Sequence, residues 1–299
     1  MPPPHPTKRT SPVVLALAFV LLALGGCATF TTVHQPVQDP HEGLRVVSYN
    51  IAMERLEDAQ DLADLLKHHP ALRGFGVLGL QEVCQRSKLL GLLKTTKDRQ
   101  DSVHFVPDKP PKPNAADSDC NKGLATVSRW PIQARGVIHL PRVRNVQRNA
   151  IWTDILWTPG PEHPPRPLRV YNLHLDNASA GIPSAWGRWL QMKRVLAHIE
   201  RWRNAHPNAD IIVLGDFNNF GQEPRQPYPP EATIARVQSK LNSALEHYRA
   251  THVSSHQTDW IFYGGQLRLL QAGVACLWRS DHFPVVADLT STALGPHTP

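Results

Sequence analysis

Cysteine, long apolar runs and clustered charge are all scarce in this chain of 299 residues, and each shortage excludes a class of protein. The four cysteines include no closely spaced pair of the kind that holds structural zinc. The longest apolar run, Val13–Leu24, has 12 residues, whereas a membrane-spanning helix needs about 20. The sequence also contains no block of like-charged basic residues that would form a nucleic-acid-binding tail. No repeat of fixed period indicates a solenoid.

The bulk composition is that of a globular protein. Hydrophobic residues make up 41% of the chain and charged residues 19%, which is too apolar for a disordered chain and too polar for a polytopic membrane protein. The 32 Lys and Arg residues against 25 Asp and Glu give a net charge of +7. A mild positive charge suits an anionic substrate or lipid surface, but it is equally common on surfaces without such a role. Composition therefore names no activity.

The amino terminus has the pattern of an export signal. The basic pair Lys8-Arg9 precedes the apolar run Val13–Leu24, in the order that a secretory signal peptide requires. The run ends in Leu24-Gly25-Gly26-Cys27, which resembles the lipobox of bacterial lipoproteins. The resemblance implies cleavage before Cys27 and lipidation of that cysteine. The alternative is an ordinary signal peptide cut near Ala28, in which Cys27 has no role.

These features predict how the chain is organised. We expect a signal peptide with lipobox at 1–26, a flexible tether at 27–43, one folded domain at 44–292 and a disordered tail at 293–299. Because Ala28 rather than Asp follows the cysteine, the lipobox resemblance implies an exported, outer-membrane lipoprotein that faces the periplasm or the exterior. The membrane, contacted through lipidated Cys27, is then one partner of the chain.

Export also affects the remaining cysteines, because an oxidising compartment allows disulfides. Cys84, Cys120 and Cys276 can form only one pair among themselves. Cys276 lies in an apolar strand-like run, Ala272–Trp278. The pair Cys84–Cys120 is therefore favoured.

After residue 43 the chain alternates between strands and helices without a break, which indicates a single α/β domain. Short β-branched runs predict strands at 44–49, 76–83, 123–130, 134–140, 148–157, 168–175, 210–217, 258–263, 267–277 and 284–290. Helical periodicity predicts helices at 56–68, 184–204 and 231–247. In the second helix, Trp186, Trp189 and Leu190 belong to an apolar stripe. At this spacing the tryptophans are interpreted as core rather than as a platform for stacking sugars or bases.

Polar side chains follow many of the predicted strands. They occur in the segments Ser48-Tyr49-Asn50, Gln81-Glu82, Asn172-Leu173-His174-Leu175-Asp176, Gly215-Asp216-Phe217-Asn218, Thr258-Asp259 and Ser280-Asp281-His282. Carboxylates and carboxamides gathered at one edge of a sheet repel one another unless a cation compensates them. A set of oxygen ligands favours Mg²⁺ or Mn²⁺ over zinc. Such a cation beside a histidine and an aspartate suits the attack of water on a phosphoester.

The same segments resemble the endonuclease/exonuclease/phosphatase superfamily, whose members include DNase-I-like nucleases, repair enzymes, neutral sphingomyelinases and inositol-polyphosphate phosphatases. Besides the segments above, Lys122-Gly123-Leu124-Ala125-Thr126-Val127-Ser128-Arg129 matches, and all of them follow the family's order. The resemblance implies a DNase-I-like fold: a four-layer α/β sandwich in which two packed mixed β-sheets are flanked by helices. It also implies a hydrolase of phosphoester bonds.

The resemblance further implies metal and water-activating residues. Glu82 matches the main metal carboxylate, Asn50 lies beside it, and Asp281 completes the coordination of Mg²⁺ or Mn²⁺ or of its water. His282 matches the histidine that orients or deprotonates the attacking water. Asp259 matches its partner, which holds the imidazole tautomer.

Three more residues match positions around the phosphoryl group. Asp216 and Asn218 correspond to the pair that contacts the nucleophile or leaving group and the phosphoryl oxygens. His174 corresponds to a histidine that binds the phosphoryl group or assists the leaving oxygen. Lys122 and Arg129 are expected near the mouth of the site, although solvation of a strand edge explains them nearly as well.

The predicted activity is therefore a divalent-metal-dependent phosphodiesterase, nuclease or sphingomyelinase-like hydrolase acting in the periplasm or at the outer membrane. Val83-Cys84 follows Glu82 where abasic-site repair enzymes have Thr-Lys, which argues against genomic DNA repair. The substrate stays open between a nucleic acid, a phospholipid and a small phosphate ester, and the chain is expected to act as a monomer. The alternative is a non-catalytic phosphoester-binding module of the same fold.

Overall fold

The computed structural model describes most of the predicted domain. It covers residues 43–52, 59–84, 88–96, 99–108, 120–143, 146–160, 163–177, 181–219, 232–246, 249–277 and 279–292. The predicted signal peptide 1–26, the tail 293–299, lipidated Cys27 and all but the last residue of the tether 27–43 lie outside these ranges. Among the described helices, none is both long and apolar enough to cross a membrane.

Within the described ranges strands dominate, and four helices accompany them. The strands are β1 Leu44–Asn50, β2 Val77–Cys84, β3 Thr95–Thr96, β4 Arg99–Gln100, β5 Ser102–Pro107, β6 Lys122–Ser128, β7 Ile132–His139, β8 Asn149–Trp157, β9 Arg166–His174, β10 Asp210–Asp216, β11 Asn242–Ser243, β12 Asp259–Gly264, β13 Leu267–Val274 and β14 Val285–Ser291. The helices are α1 Ala59–His68, α2 Leu89–Lys94, α3 Gly181–Ala205 and α4 Ala232–Gln238.

Two six-stranded sheets form the body of the molecule. The first has the order β13-β14-β1-β2-β6-β5 and the second β11-β12-β10-β9-β8-β7. In each sheet one central pair is parallel, β1 with β2 and β9 with β10, while the remaining neighbours are antiparallel. Both sheets are therefore mixed, as predicted.

The apolar residues divide into three buried clusters that define four layers. One cluster joins the facing surfaces of the two sheets, including Val46 and Leu214. A second joins the outer face of the first sheet to α1 and α2, and a third joins the outer face of the second sheet to α3 and α4. Because each sheet is buried on both faces, its central strands are continuous apolar runs rather than alternating ones. The predicted four-layer α/β sandwich is confirmed.

The two sheets are joined by hydrogen bonds as well as by apolar packing. Gln81 of β2 donates from Nε2 to Asn172 Oδ1 on β9 at 2.8 Å. Asn172 Nδ2 in turn donates to the carbonyl oxygens of Leu80 and Ala125, at 3.1 and 2.8 Å. The Gln81 and Asn172 side chains are buried, where such hydrogen bonds fix the relative position of the elements that they join. A Cβ at Gly79, two residues before Gln81, would collide with Leu214, so the sheets approach closely here.

The predicted strands agree with the structure to within a few residues. The short elements α2, β3 and β4 were not predicted, and two further regions differ. The predicted helix 231–247 ends at Gln238, after which Asn242–Ser243 pairs with β12. The edge strand β5, Ser102–Pro107, was not predicted. Its side chains are mostly only partly buried, so it lacks the apolar run that identified the other strands.

A disulfide joins Cys84, at the end of β2, to Cys120, two residues before β6. The Cα atoms lie 5.1 Å apart and the residues are 36 positions apart in the chain. Closing a loop of that length restricts the unfolded chain, so the double substitution Cys84→Ala/Cys120→Ala should lower the free energy of unfolding by about 4 kcal/mol in urea denaturation. The single substitution Cys120→Ala should cost nearly as much. A loss below about 1 kcal/mol in both variants would contradict this account.

A second prediction concerns acid stability and His104, which is buried on β5. Burial lowers the pKa of His104 to about 4, the Arg135 charge adds to this, and a hydrogen bond to the Trp152 backbone opposes it. The unfolded chain, with an ordinary pKa near 6.5, binds the proton more readily. Protonation of His104 in the unfolded chain should therefore lower the free energy of unfolding as the pH drops from about 6.5 to 4, by about 3 kcal/mol in total.

The measurement is the free energy of unfolding from pH 7 to 4 in wild type and in His104→Gln. The variant should lose about 3 kcal/mol less over this range. His68→Gln, on the exposed end of α1, is the matched control and should follow wild type. Equal pH dependence in wild type and His104→Gln would refute the prediction.

Candidate active site

The predicted site residues converge at one edge of the sandwich because of how the central strands run. The parallel pairs β1/β2 and β9/β10 end at this edge, and antiparallel β12 begins there. Asp216, the last residue of β10, lies opposite His174 of β9 on one side and opposite Asp259 of β12 on the other. Residues separated by more than 40 positions in sequence are thus placed next to one another by strand register alone.

Glu82 is directed into the site by an irregularity in β2. The pairing of β2 with β6 shifts register between Leu80 and Val83, and Glu82 has a φ of +57°. A residue other than glycine in this left-handed region costs roughly 1–3 kcal/mol. Asn218 also has a positive φ, +48°. Strain of this kind is typical of positions where the backbone serves a site.

Asn50 and Glu82 lie side by side with a lysine. Asn50 Nδ2 donates to Asp216 Oδ2 at 3.0 Å and lies 3.4 Å from Glu82 Oε1, while Asn50 Oδ1 accepts the backbone N–H of Ala52 at 3.1 Å. Lys122 Nζ lies 2.7 Å from Glu82 Oε2. The lysine is thus placed at the site, as expected. Arg129 is not, since it lies beyond the other end of β6 and donates to Gly74 O at 3.4 Å.

His282 and Asp259 form a buried pair. His282 Nδ1 lies 2.8 Å from Asp259 Oδ2, which also accepts a hydrogen bond from Thr258 Oγ1 at 2.9 Å. Burial lowers the pKa of His282, but the charge and hydrogen bond of Asp259, together with the charges of Asp216 and Asp281, outweigh burial and raise it well above its usual range. Within the described part of the chain, no donor reaches the buried Asp259 Oδ1.

Asp216 lies at the centre of the cluster. It accepts the backbone N–H of Asn218 at 2.8 Å, and its Oδ2 lies 3.4 Å from His174 Nε2 and 3.8 Å from His282 Nε2. Burial raises the pKa of Asp216 to about 7, and the nearby charge of Asp259 contributes in the same direction. Asn218 Nδ2 donates to Leu175 O at 3.2 Å.

His174 is buried beside an arginine that the sequence analysis did not single out. Arg148 Nη1 lies 3.3 Å from His174 Nδ1 and 3.4 Å from Asp108 Oδ2. Burial and the neighbouring positive charges hold the pKa of His174 well below its usual range, so its imidazole is neutral at pH 7. The available signal for Arg148 was its place at the start of β8, which runs antiparallel to β9 and therefore begins at the edge where His174 lies.

Asp281 is more exposed and has a histidine partner of its own. His252 Nε2 lies 3.4 Å from Asp281 Oδ2. The hydrogen bond with His252 lowers the pKa of Asp281 to about 2, against the opposing effect of partial burial. Ser280 Oγ donates to Asn50 O at 2.8 Å and lies 3.3 Å from Asp281 Oδ1, which places Asp281 beside the end of β1.

The donor set fits a hard divalent cation. The edge gathers four carboxylates, Glu82, Asp216, Asp259 and Asp281. Burial is the main cause of the raised pKa of Asp216, and the negative charge of Asp259 adds to it. All of the predicted ligands offer oxygen, the atom that Mg²⁺ and Mn²⁺ prefer. Asn50 would ligate through Oδ1, which requires its amide to turn over. The residues therefore fit the cation, with Glu82 and Asn50 as its holders and Asp281 nearby.

Two further groups have metal-binding spacing. The ligand atoms of His252, Asp281 and His282, and those of Asp216, Asp259 and His282, lie within 4.8 Å of one another in each group. Both groups share His282, whose Nδ1 already bonds to Asp259. They adjoin the predicted ligands Glu82 and Asn50, which belong to neither group.

Comparisons with known proteins agree with this geometry. Residues 47–282 match the Endonuclease/Exonuclease/phosphatase family. A search of curated proteins found no match to the sequence. Three similar solved structures are the human Nocturnin catalytic domain with bound sulfate (21% identity, TM-score 0.60, 84% of this chain and 94% of that one), an endonuclease/exonuclease/phosphatase from Beutenbergia cavernae (19%, 0.65, 84% and 72%) and a mannosyl-6-phosphatase from Bacteroides thetaiotaomicron (18%, 0.59, 83% and 99%). The chain therefore belongs to the Endonuclease/Exonuclease/phosphatase family.

Proposed function

We propose that the protein hydrolyses a phosphoester with the help of a divalent cation, Mg²⁺ or Mn²⁺. The observation that carries this proposal is the convergence of the buried His282–Asp259 pair, Asp216 and His174 on one edge where Glu82 and Asn50 offer oxygen ligands. Members of the family hydrolyse phosphoesters, and the site retains a complete set of groups for that reaction.

We assign to His282 the activation of the attacking water. Its Nδ1 is occupied by Asp259 at 2.8 Å, so only Nε2 is available to a water molecule. As the water oxygen bonds to phosphorus and the bond to the leaving oxygen breaks, the proton of the water passes to Nε2 of the neutral imidazole. The positive charge of a bound cation would favour this neutral form, because it would offset the carboxylates that raise the pKa of His282. Asp259 holds the N–H on Nδ1 and stabilises the imidazolium that results. Asp216 Oδ2, 3.8 Å from Nε2, orients the same imidazole from its other side.

We assign binding of the phosphoryl group to His174, Arg148 and Asn218. Neutral His174 and the Arg148 guanidinium lie together and can both donate hydrogen bonds. Most of the barrier reduction in phosphoryl transfer comes from charge and donors placed around the transition state. When bound, a divalent cation at Glu82 and Asn50 supplies positive charge that neutralises the phosphoryl oxygens and the leaving oxygen.

The location is proposed from the amino-terminal sequence. We propose that lipidated Cys27 anchors the exported chain at the outer membrane, facing the periplasm or exterior, and that it acts as a monomer. The lipobox resemblance at Leu24–Cys27 supports the anchor. Mass spectrometry of the membrane-extracted protein should find a diacylated or triacylated amino-terminal cysteine. A mature chain that begins at another residue would contradict it.

The substrate class is tested by a screen of the purified protein. A phosphomonoester fits the site by analogy with the mannosyl-6-phosphatase, to which this chain is 18% identical, while nucleic acids and phospholipids present the same linkage. p-Nitrophenyl phosphate, bis-p-nitrophenyl phosphate, plasmid DNA and sphingomyelin are each assayed with Mg²⁺, Mn²⁺ or EDTA. Cleavage of at least one compound that stops in EDTA is expected. Cleavage that persists in EDTA would contradict the proposed chemistry.

Direct metal binding provides an independent measurement. Glu82→Gln removes one charge from the proposed holder and should weaken Mn²⁺ binding by at least about tenfold in isothermal titration calorimetry. Asp154→Asn, on β8 and paired with Arg169, removes a carboxylate away from the site and is the matched control. If a phosphoester binds in the presence of Mg²⁺ but no product forms from any compound, the chain is instead the non-catalytic binding module.

A further inference from the structure

Helix α3 has two apolar faces, and only one of them is covered. Its inner face, including Met192, Val195 and Leu196, packs in the cluster beneath the second sheet. The side chains at 186, 189, 190 and 193 recur at helical spacing on another face. There Trp186 is 44% exposed and Leu190 45% exposed. The interpretation of Trp186 as a core residue is therefore wrong. We call Trp186, Trp189, Leu190 and Lys193 the outer α3 face.

Cations surround the aromatic part of this face. The rings of Trp186 and Trp189 meet edge to face with their centroids 5.7 Å apart. Lys193 Nζ lies 5.4 Å and Arg236 Cζ of α4 lies 5.7 Å from the centroid of the Trp189 ring. Indole rings beside ammonium and guanidinium groups are typical of surfaces that enter the boundary between lipid headgroups and acyl chains.

Helix α3 as a whole is positively charged, like the cations beside Trp189. The sequence of α3 contains five Lys and Arg residues and a single acid, Glu200. Its first turn has no acidic residue, so the positive end of the helix dipole is not compensated by the helix's own side chains. An anionic surface is therefore the complementary partner. A second copy of this chain would bring the same cations into contact, which disfavours self-association through this face.

Helix α3, which carries the outer α3 face, packs against the segment that follows His174. Gln191 Oε1 accepts the backbone N–H of Asp176 at 2.9 Å, and Arg188 Nη1 lies 3.3 Å from Asp176 O. Asp176 follows His174 by two residues. Gln191 and Arg188 are buried and lie outside the outer α3 face. Val143, which forms a bridge with Val146, packs on α3 at Gly187, where a Cβ would collide with it.

We propose that the outer α3 face docks onto an anionic lipid bilayer. Trp186 and Leu190 enter the interfacial region, while Lys193 and Arg236 contact lipid phosphates. A nucleic acid also carries phosphates, and Trp186 offers a ring for a base to stack on, but exposed Leu190 gains from burial in acyl chains and not from stacking, which favours the bilayer. Docking would hold the candidate active site near the bilayer, because α3 contacts the segment that follows His174. It does not depend on the proposed hydrolysis.

Tryptophan quenching by brominated lipids tests the contact in the full chain. No tryptophan precedes Trp130, so insertion of the amino-terminal segment into a vesicle does not itself contribute a signal. Vesicles of brominated phosphatidylcholine with about 30% phosphatidylglycerol should quench the wild type, and Trp186→Phe should lose about half of that quenching or more. Trp130→Phe is the matched control, because Trp130 is partly buried against Trp157 at the opposite end of the sandwich. It should retain the quenching.

Charge reversal tests the contacts with lipid phosphates, and polar substitution tests the insertion of apolar side chains. Lys193→Glu/Arg236→Glu should weaken sedimentation with anionic vesicles by about tenfold or more. Trp186→Ser/Leu190→Ser should weaken it by a similar factor, whereas Leu156→Ser, equally exposed on β8 at 43%, should not. All of these positions are on the surface, and hydrolysis of a soluble diester should be unchanged, which separates failure of docking from failure of the proposed function.

Three results would overturn the proposal. The first is equal quenching in wild type and Trp186→Phe. The second is equal affinity for vesicles with and without phosphatidylglycerol. The third is a tryptophan signal that responds to single-stranded DNA but not to vesicles, which would assign the face to nucleic acid.

Discussion

Replacing His282 with alanine is expected to lower kcat by about 10³- to 10⁴-fold, the upper part of the range for loss of a general base. The imidazole faces Asp216 with its Nε2, while Asp259 holds its Nδ1. Removing the imidazole leaves the attacking water without a positioned acceptor for its proton. The oxygen ligands and the donors His174 and Arg148 remain. Mn²⁺ affinity should therefore stay within a few-fold of wild type, which identifies a defect in the chemical step.

The measurement is kcat at saturating substrate and metal, together with calorimetric Mn²⁺ binding. His163→Ala, in an exposed loop, is the matched control and should retain wild-type kcat. The assignment fails if His282→Ala stays within tenfold of wild type, because a residual rate of that size leaves almost nothing for a general base to contribute.

Asp259→Asn should have nearly as large an effect, about 10³- to 10⁴-fold in kcat, although it changes only one oxygen into an amide nitrogen. The carboxylate accepts from His282 Nδ1 at 2.8 Å and from Thr258 Oγ1 at 2.9 Å. Both bonds end on Oδ2, so an asparagine that turns its Nδ2 to this position donates towards His282, and the Thr258 hydroxyl then accepts instead of donating. The imidazole must then carry its proton on Nε2, where it can no longer accept one from water.

A double-mutant cycle tests whether the two residues act together. If Asp259 works through His282, the double variant His282→Ala/Asp259→Asn should be as slow as His282→Ala alone, because the second change has nothing left to disturb. Losses that multiply to about 10⁶-fold or more would show that the residues act independently and would remove the pair from the mechanism. Thr258→Val provides a further control, since it removes a bond to Asp259 but keeps its charge.

The parts of the fold that were predictable from sequence are those in which burial is complete. The central strands are apolar on both faces, so β1, β2, β9 and β10 stand out as continuous runs. Their ends are marked by polar residues, and the matching segments of the family place Asn50, Glu82, His174 and Asp216 in order. The structure brings these four together with Asp259 and His282. Strand ends therefore carried most of the information about the site.

The parts that were not predictable depend on contacts across the fold. Arg148, the residue before β8, contributes through its contact with His174, which only the antiparallel pairing of β8 and β9 establishes. Asp281 was expected to complete the metal coordination. It lies beside the end of β1, but its Oδ2 also pairs with His252, which sequence reasoning missed. The two faces of α3 have similar apolar composition, and periodicity alone does not tell which of them the sheet covers.

The buried Gln81–Asn172 contact limits which positions can change between related proteins. Glu82 follows one end of this contact, and His174 follows the other by two residues. This buried pair of amides therefore helps to align two halves of the candidate site that belong to different sheets. Substitutions that slide one sheet over the other would slow turnover well before they unfolded the chain. The sequences of surface loops can diverge freely between relatives. The interior around Gln81 and Asn172 is constrained by the need to align the site as much as by the need for stability.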